Sequence, residues 1–414
     1  MASKSWELVP IKEVYEGLFD GPHATPAPAS SGPVFLGIKN VTDDGLLDLR
    51  ELRHIAEEDY AKWTKRVEPR ENDLVFTYEA TLNRYALIPP GFRGCLGRRM
   101  ALIRVNRKKV DPRFLLYYFF SDEWRAVIRR NMLTGATVDR IPLTTFPDFP
   151  VRVPPLPVQV RIAGILSAYD ELIENSQRRI KILESMARAL YREWFVKPCV
   201  HSDGIPLAND EFPRGWTHAQ LSKIAEVRLG KMLDQNKNRG ELRPYLANVN
   251  VRWGEFELSA LREMRFEEHE LDTYGLRTGD IVMCEGGEPG RCAVWREELN
   301  GMMFQKALHR IRAGAGMSFV YLYHALRHLG ETGSLAALFT GSTIKHLPLE
   351  KLAKVRVVVP PADLLARFDH LAGQMQTQVF TLQRQIQNLC RTRNLLLPRL
   401  LSGQISLDQE EVNV

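Results

Sequence analysis

The sequence predicts an α+β protein that uses one globular module twice. The two copies are joined by two long antiparallel coiled-coil helices about a pseudo-two-fold axis. Three observations lead there. Residues Thr134–Pro155 read TGATVDRIPLTTFPDFPVRVPP and Thr340–Pro361 read TGSTIKHLPLEKLAKVRVVVPP, at a constant offset of 206 with no gap. Each stretch runs into a long helical pattern. The strand and helix signals upstream of each stretch also recur at nearly the same offset.

Taken in order, each copy opens near a tryptophan, Trp6 and Trp216. Turn-then-strand signals follow at Asn72-Asp73-Leu74-Val75-Phe76 and Gly279-Asp280-Ile281-Val282-Met283. At an offset of 207 Arg84-Tyr85-Ala86-Leu87 meets Arg291-Cys292-Ala293-Val294, and near 208 Arg98 through Arg104 faces Lys306 through Arg312. Helical segments are expected around Phe114–Arg130 and Ser318–Leu338. A TG-x-T loop, a strand and a Pro-Pro pair complete each module.

The first long helix carries apolar or small residues at Ile162, Leu166, Tyr169, Ile173, Ser176, Ile180, Leu183, Ala187, Leu190 and Trp194. This 4-3-4-3 spacing is the a/d seam of a coiled coil. Adding 206 gives Phe368, Ala372, Met375, Val379, Leu382, Ile386, Leu389, Arg393, Leu396 and Leu400, with Arg393 the one clear departure. Pro157 suits a helix start and Pro198 a stop. Pro361 precedes the second helix, and Pro398 is expected to end it. The boundaries are therefore 1–155 for the first module, 156–199 for the central helix, 200–361 for the second module and 362–414 for the second helix. Two matched apolar stripes in one chain most simply bury each other. Parallel pairing would put both modules at one end, whereas antiparallel pairing gives each end one module. A helix of about 36 residues spans ~54 Å, which caps the separation of the attachment points near ~16 base pairs of DNA. Duplex DNA is the commonest partner for a pseudo-two-fold design.

With 44% apolar and 26% charged residues in 414, the composition is that of a multi-domain globular protein. No apolar run reaches a membrane span and no signal-peptide core is present, so a cytoplasmic location without membrane attachment is expected. The five cysteines are scattered without a CxxC pair, which supports neither a zinc site nor a disulfide framework and points to buried structural thiols. A net charge of +6 permits nucleic-acid binding without requiring it.

The whole chain resembles the specificity subunit of a type I restriction-modification system. The residues carrying the likeness are Ala189-Leu190-Tyr191-Arg192-Glu193-Trp194-Phe195 at the end of the central helix and Leu397-Pro398-Arg399-Leu400-Leu401-Ser402-Gly403-Gln404-Ile405 at the end of the second. The paired TG-x-T loops and the Gly-Asp-Ile-Val…Gly-Arg segment add to it. The resemblance implies a non-catalytic reader of double-stranded DNA with two target-recognition domains, each on one half of a bipartite site. It also implies docking of two DNA adenine methyltransferase subunits and of restriction (motor and nuclease) subunits. The complex it resembles methylates adenine N6 and cleaves DNA with ATP. S-adenosylmethionine, ATP and magnesium are then expected on the partner subunits, with no cofactor or metal on this chain.

The residues agree with a non-catalytic role. Neither the Asn/Asp-Pro-Pro-aromatic motif nor the glycine-rich methyl-donor loop of adenine methyltransferases occurs, and there is no GxxxxGK[ST] phosphate loop. Pro147-Asp148 lacks the Glu/Asp-x-Lys that would complete a nuclease metal site. The histidines form no ligand spacing. The alternatives are a single-chain DNA-modifying enzyme, which predicts turnover of S-adenosylmethionine without a partner, and a protein-binding coiled-coil scaffold, which predicts no salt-sensitive DNA binding.

Candidate DNA contacts in the first module are Lys39, Asn40, Arg84, Arg93, Arg98, Arg99, Thr134 and Thr137, with Arg107, Lys108 and Lys109 as further basic residues. In the second module they are Lys231, Arg239, Asn248, Asn250, Arg291, Lys306, Thr340 and Thr343, with Arg228, Lys237 and Arg243 beside them and the amides Gln235, Asn236 and Asn238 interspersed. Arginine and lysine suit phosphate, amides suit adenine edges, and the Thr-Gly loops can offer hydroxyl and backbone N–H donors. For each, the plain alternative is a solvated basic loop or an ordinary turn. Glu285-Gly286-Gly287-Glu288-Pro289-Gly290-Arg291 sits where the first module has Tyr78-Glu79-Ala80-Thr81-Leu82-Asn83-Arg84. Its position and closing arginine persist while its chemistry changes, as in a variable loop on a fixed frame. On the helices, Arg178, Arg179, Arg188, Arg192, Glu171 and Glu174 are expected to face outward as docking surface.

Overall fold

A computed structural model describes residues 6–134, 138–199, 212–234, 238–405 and 407. Thr137, with Gly135 and Ala136, and the stretch Gln235-Asn236-Lys237 lie outside the described residues. The chain forms two compact units, Met1–Ser176 with Arg384–Val414, and Gln177–Gln383. Each unit holds one globular module together with part of the central helix, Leu156–Tyr191, and part of the C-terminal helix, Ala362–Leu401.

The first module contains strands β1 (Glu7–Pro10), β2 (Tyr15–Asp20), β3 (Ala29–Leu36), β4 (Arg53–His54), β5 (Leu74–Thr77), β6 (Tyr85–Leu87), β7 (Gly94–Leu96), β8 (Met100–Val105) and β9 (Pro150–Val153). They form a sheet ordered β2-β8-β5-β6, a second ordered β4-β3-β7, and the antiparallel pair β1-β9. The second module contains β10 (Thr217–Gln220), β11 (Ala225–Leu229), β12 (Glu241–Leu246), β13 (Arg262–Phe266), β14 (Ile281–Cys284), β15 (Cys292–Val294), β16 (Met303–Phe304), β17 (Leu308–Ala313) and β18 (Arg356–Val359). Its sheets run β11-β17-β14-β15, β13-β12-β16 and β10-β18. The order is the same strand for strand, including the parallel pairs β3-β7 and β12-β16. The duplication read from the sequence is thus a duplication of fold.

Shared local devices account for that identity. The β8 arginine Arg104 holds Asp73 through Nη2 at 2.9 Å, and Arg312 on β17 holds Asp280 through Nε and Nη2, each at 2.7 Å. Gly21 and Gly230 are close-approach positions, where an added Cβ would lie 2.2 Å from Gly97 O and 2.4 Å from Gln305 O. No side chain fits there.

The long helices are anchored in the module cores. In the first unit Ile162, Ala163 and Leu166 of the central helix and Leu400 and Leu401 of the C-terminal helix join the aromatic core around Phe114, Trp124 and Phe146. In the second unit Tyr191 and Phe195 meet Leu365, Phe368 and Ala372 in the core around Tyr321 and Leu326. Within the first unit Arg161 Nη1 donates to Leu407 O (2.6 Å) and Arg393 Nη1 to Asp170 Oδ1 (2.5 Å). Within the second, Leu183 and Ala187 share a cavity of about 50 Å³ with Met375 and Val379. In both units rising numbers on one helix meet falling numbers on the other, so the pairing is antiparallel.

The predicted seam residues Ile162, Leu166, Tyr169, Ile173, Ser176, Ile180, Leu183 and Ala187 are buried or half-buried, as are their counterparts on the C-terminal helix. Arg393, the departure, is explained. It pairs with Asp170, which also accepts from Tyr117 Oη at 2.5 Å, so one carboxylate ties both helices to the first module. Three expectations need correction. At the end of the central helix the burial moves from Leu190 and Trp194, both half-buried, to Tyr191 and Phe195, where a π-helical turn at Arg192–Val196 changes the phase. Pro398 does not end its helix, which runs on to Leu401. A proline ring blocks only the bond to the preceding turn, and Ser402 N still donates to Pro398 O (3.0 Å). The helix expected over Phe114–Arg130 is two helices, Pro112–Phe119 and Asp122–Asn131, because Ser121 caps the second through Trp124 N.

Thiols and one histidine are shaped by burial. The Cys95 and Cys292 thiols are pushed up to about 12, which removes their reactivity. Burial, and then the charges of Arg327 and Arg188, push His324 down to about 3. The unfolded imidazole titrates near 6.5. The stability from its neutral form is therefore complete above that pH and falls as the pH drops from 6.5 toward 3. Going from pH 7.5 to pH 5 should lower the unfolding free energy by about 2 kcal/mol through this group. His324→Gln should flatten that limb in urea denaturation, and an unaltered pH profile would contradict this.

Candidate nucleic-acid interface

Four connections meet at one edge of the first module: the turn Ile38–Asn40, the β5–β6 loop Tyr78–Arg84, the β7–β8 turn Gly97–Arg99 and the segment ends bridged at Leu133 and Arg140. Tyr78 N donates to Arg99 O (3.2 Å), Ile141 N to Tyr78 O (2.7 Å), and Ala80 N to Asp139 O (3.0 Å). Arg99, in the left-handed region at φ +71°, pairs with Glu79 at 3.1 Å. Lys39, Arg50, Arg53, Arg98 and Arg99 line an open concavity of about 940 Å³ in which the anions are Asp48 and Glu51. Arg50 is held by Asp48 at 2.7 Å, whereas exposed Lys39, Arg53 and Arg98 make no ion pair among the described residues.

The second module assembles the same edge from Asn248–Asn250, Glu285–Arg291, the turn Gln305–Ala307 and the hairpin Thr340–His346. Glu285 N donates to Ala307 O (2.9 Å) and Leu347 N to Glu285 O (2.7 Å), the counterparts of the Tyr78 bonds. Arg291 Nη2 donates to Asn248 O (3.0 Å), and His346 Nδ1 lies 2.9 Å from Glu285. Lys306 occupies the place of Arg98, is exposed, and makes no ion pair among the described residues. Thr134, next to Leu133, and Thr340 and Thr343, on the Thr340–His346 hairpin, sit exposed.

The candidates that converge are Lys39, Arg84, Arg98, Arg99 and Thr134 in one module and Asn248, Arg291, Lys306, Thr340 and Thr343 in the other. Three of them are partly occupied, Arg84 by Asp43 (2.7 Å), Arg99 by Glu79 (3.1 Å) and Arg291 by Glu288 (2.6 Å). The reading of Asn40 and Asn250 as DNA contacts is corrected. Both are buried, each accepts at Oδ1 from the backbone N of Gly37 or Ala247 (3.0 Å), and each donates from Nδ2 to Asp48 O or Glu257 O. They are frame. Lys231 is also frame, buried against Glu270 and donating to Arg265 O (3.0 Å) over the Phe266 ring. Arg93, at the other end of β7 from Arg98, grips Glu57 above Tyr60. Arg107, Lys108 and Lys109 lie at the far end of β8, where Gln159 of the central helix donates to Lys109 O (3.1 Å). Arg228 and Arg243 pair with neighbouring Glu226 and Glu241. Exposed Arg239 precedes β12, at the strand end remote from Asn248. On the central helix Arg188 is half-buried on Glu184 (3.3 Å) rather than outward. Arg50, Arg53 and Arg140 were missed, and the shared turn Ile38-Lys39-Asn40/Asn248-Val249-Asn250 was the signal that could have pointed to the first two.

Residues 4–185 match the family model described as the type I restriction modification DNA specificity domain. The specificity subunit of the type I restriction enzyme MjaIX of Methanocaldococcus jannaschii is 23% identical over 315 residues, 71% of this chain and 69% of that protein. The MjaVIII specificity subunit of the same organism is 18% identical over 350 residues, 82% and 81% of the two chains. The first module and most of the central helix are therefore similar to a type I restriction modification DNA specificity domain. The crystal structure of the type I system S subunit from M. genitalium covers 97% of both chains at a TM-score of 0.58 and 14% identity, which shows a shared fold. The family model spans the first module and most of the central helix, and the identical strand order carries the same frame to the second module.

Proposed function

We propose that this chain binds double-stranded DNA sequence-specifically, each module reading one half of a bipartite site, and docks methyltransferase and restriction subunits without catalysing either reaction itself. The observation that carries the proposal is the pairing of Arg98 with Lys306. Two exposed cations occupy one structural position in two copies of the fold, on an edge built from equivalent loops of the two copies. S-adenosylmethionine, ATP and magnesium belong on the partner subunits in this reading, and no residue here is assigned to them. Among the described residues no helix is long and apolar enough to cross a membrane.

The helices supply the docking surface. Leu172, Ile182 and Met186 of the central helix are exposed, an apolar pattern that favours burial by a protein partner. Co-purification of the full chain with the adenine methyltransferase subunit of its own system, followed by mapping of methylated adenines with and without this chain, tests the proposal. Site-specific methylation that requires the chain is expected; unchanged methylation without it would refute the assignment.

The cations make a separate prediction. Arg98→Ala and Lys306→Ala should each weaken DNA binding about equally for all sequences and reduce the salt slope by about one unit. Stability should change by no more than ~0.5 kcal/mol, since both side chains are exposed. Fluorescence anisotropy over a salt series checks this, and unchanged slopes in both variants would remove these residues from the interface.

A further inference from the structure

The two reading edges share a frame but differ in chemistry. Two residues beyond the equivalent glycines Gly21 and Gly230 stand His23 and Met232, and the middle of the equivalent turns holds Lys39 in one module and Val249 in the other. In the second module Val249 is 56% exposed, Met232 57% and Ile344 61%. All three lie on segments tied by backbone bonds to the turn Gln305–Ala307 or to Glu285-Gly286 beside it. Lys306 N donates to Lys231 O beside Met232, Gln305 N donates to Leu246 O two residues before Asn248, and His346, two residues past Ile344, bridges to Gly286. Lys306 is the middle residue of that turn.

Resting on the proposed reading of DNA, we infer that the second module recognises an A·T pair in the major groove, with Val249 against the thymine 5-methyl group and the Asn248 amide on the adenine edge. A thymine methyl is the one apolar group the major groove presents, and an amide can accept from adenine N6 while donating to N7. Asn248 and Val249 are adjacent, and the Asn248 side-chain amide makes no hydrogen bond among the described residues. An added Cβ at Gly287 would lie 2.9 Å from Asn248 Nδ2, so this glycine keeps the amide uncovered. The first module places Lys39 at the Val249 position, which cannot make the same contact. The half-sites are then read by different physics on one scaffold.

The test uses the full chain and a duplex carrying its recognised site, with each thymine of both half-sites replaced in turn by deoxyuridine, which deletes only the methyl. At least one replacement, confined to one half-site, should weaken binding about three- to five-fold, the worth of one buried methyl. Val249→Ala should abolish that thymine–uracil difference, and Val249→Ile should retain it. Tolerance of every replacement within about two-fold, a recognised site without thymine, or full methyl sensitivity in Val249→Ala would overturn the inference while leaving DNA recognition standing. Failure of the chain to bind any duplex specifically would overturn both.

Discussion

Phe368→Ala is expected to destabilise the second unit by about 3–5 kcal/mol, the range for removing a fully buried phenylalanine. Phe368 is completely buried, and its ring lies 5.0 Å from Phe195, 6.2 Å from Tyr191, 6.3 Å from Trp194 and 5.6 Å from His324. Tyr191, Trp194 and Phe195 belong to the end of the central segment, and Phe368 to the start of the C-terminal helix. The substitution therefore removes the contact through which the two helices and the second module share a core. Aromatic pairs of this geometry add about 0.5–1.5 kcal/mol beyond the area they bury. Phe368→Leu retains most of the volume and should cost under about 2 kcal/mol. Urea denaturation distinguishes the cases, and a loss below about 1 kcal/mol for the alanine variant would show that this cluster does not hold the unit together.

Asp280→Ala should cost about 3–5 kcal/mol for a different reason, because it strands a charge. The Asp280 carboxylate is almost wholly buried and holds Arg312 through two bonds of 2.7 Å while accepting from Arg277 N at 2.8 Å. The same arrangement stands in the first unit, where Asp73 holds Arg104 and accepts from Arg70 N at 2.8 Å, so Asp73→Ala should behave alike. Removing both partners together, as Asp280→Leu with Arg312→Met, should cost less than removing the carboxylate alone, since no uncompensated charge is left. Asp148→Ala, which breaks the exposed pair with Lys12, should leave stability nearly unchanged. Equal effects for Asp280→Ala and Asp148→Ala would contradict the account.

The helical seam was legible because its signal is periodic and long. A 4-3-4-3 pattern sustained over thirty or so residues fixes which side of a helix is dry, whatever the partner. The duplication was legible because a chain that repeats itself supplies its own alignment, which is how Arg98 and Lys306 could be matched before any fold was known. The functional edge was only partly legible. A lysine in a loop gives no sign of whether it meets solvent or a carboxylate far along the chain, and Lys231 is taken by Glu270 through a contact set by the fold. Asn250 read as a base contact because amides suit adenine, and Asn40 as a DNA contact at a strand end, yet the same donor and acceptor pair also suits a tight turn, and the turn won. Val249 was passed over because a lone valine carries no polar signal. Its exposure and its equivalence to Lys39 belong to the three-dimensional arrangement.

Hydroxyl-radical footprinting of the full chain on DNA bearing its recognised site tests most directly whether two copies of one frame each engage the duplex. Two protected tracts flanking an unprotected interval are predicted, with Arg98→Ala weakening one tract and Lys306→Ala the other. A single continuous tract, or one that both substitutions weaken alike, would contradict the assignment of one half-site to each module.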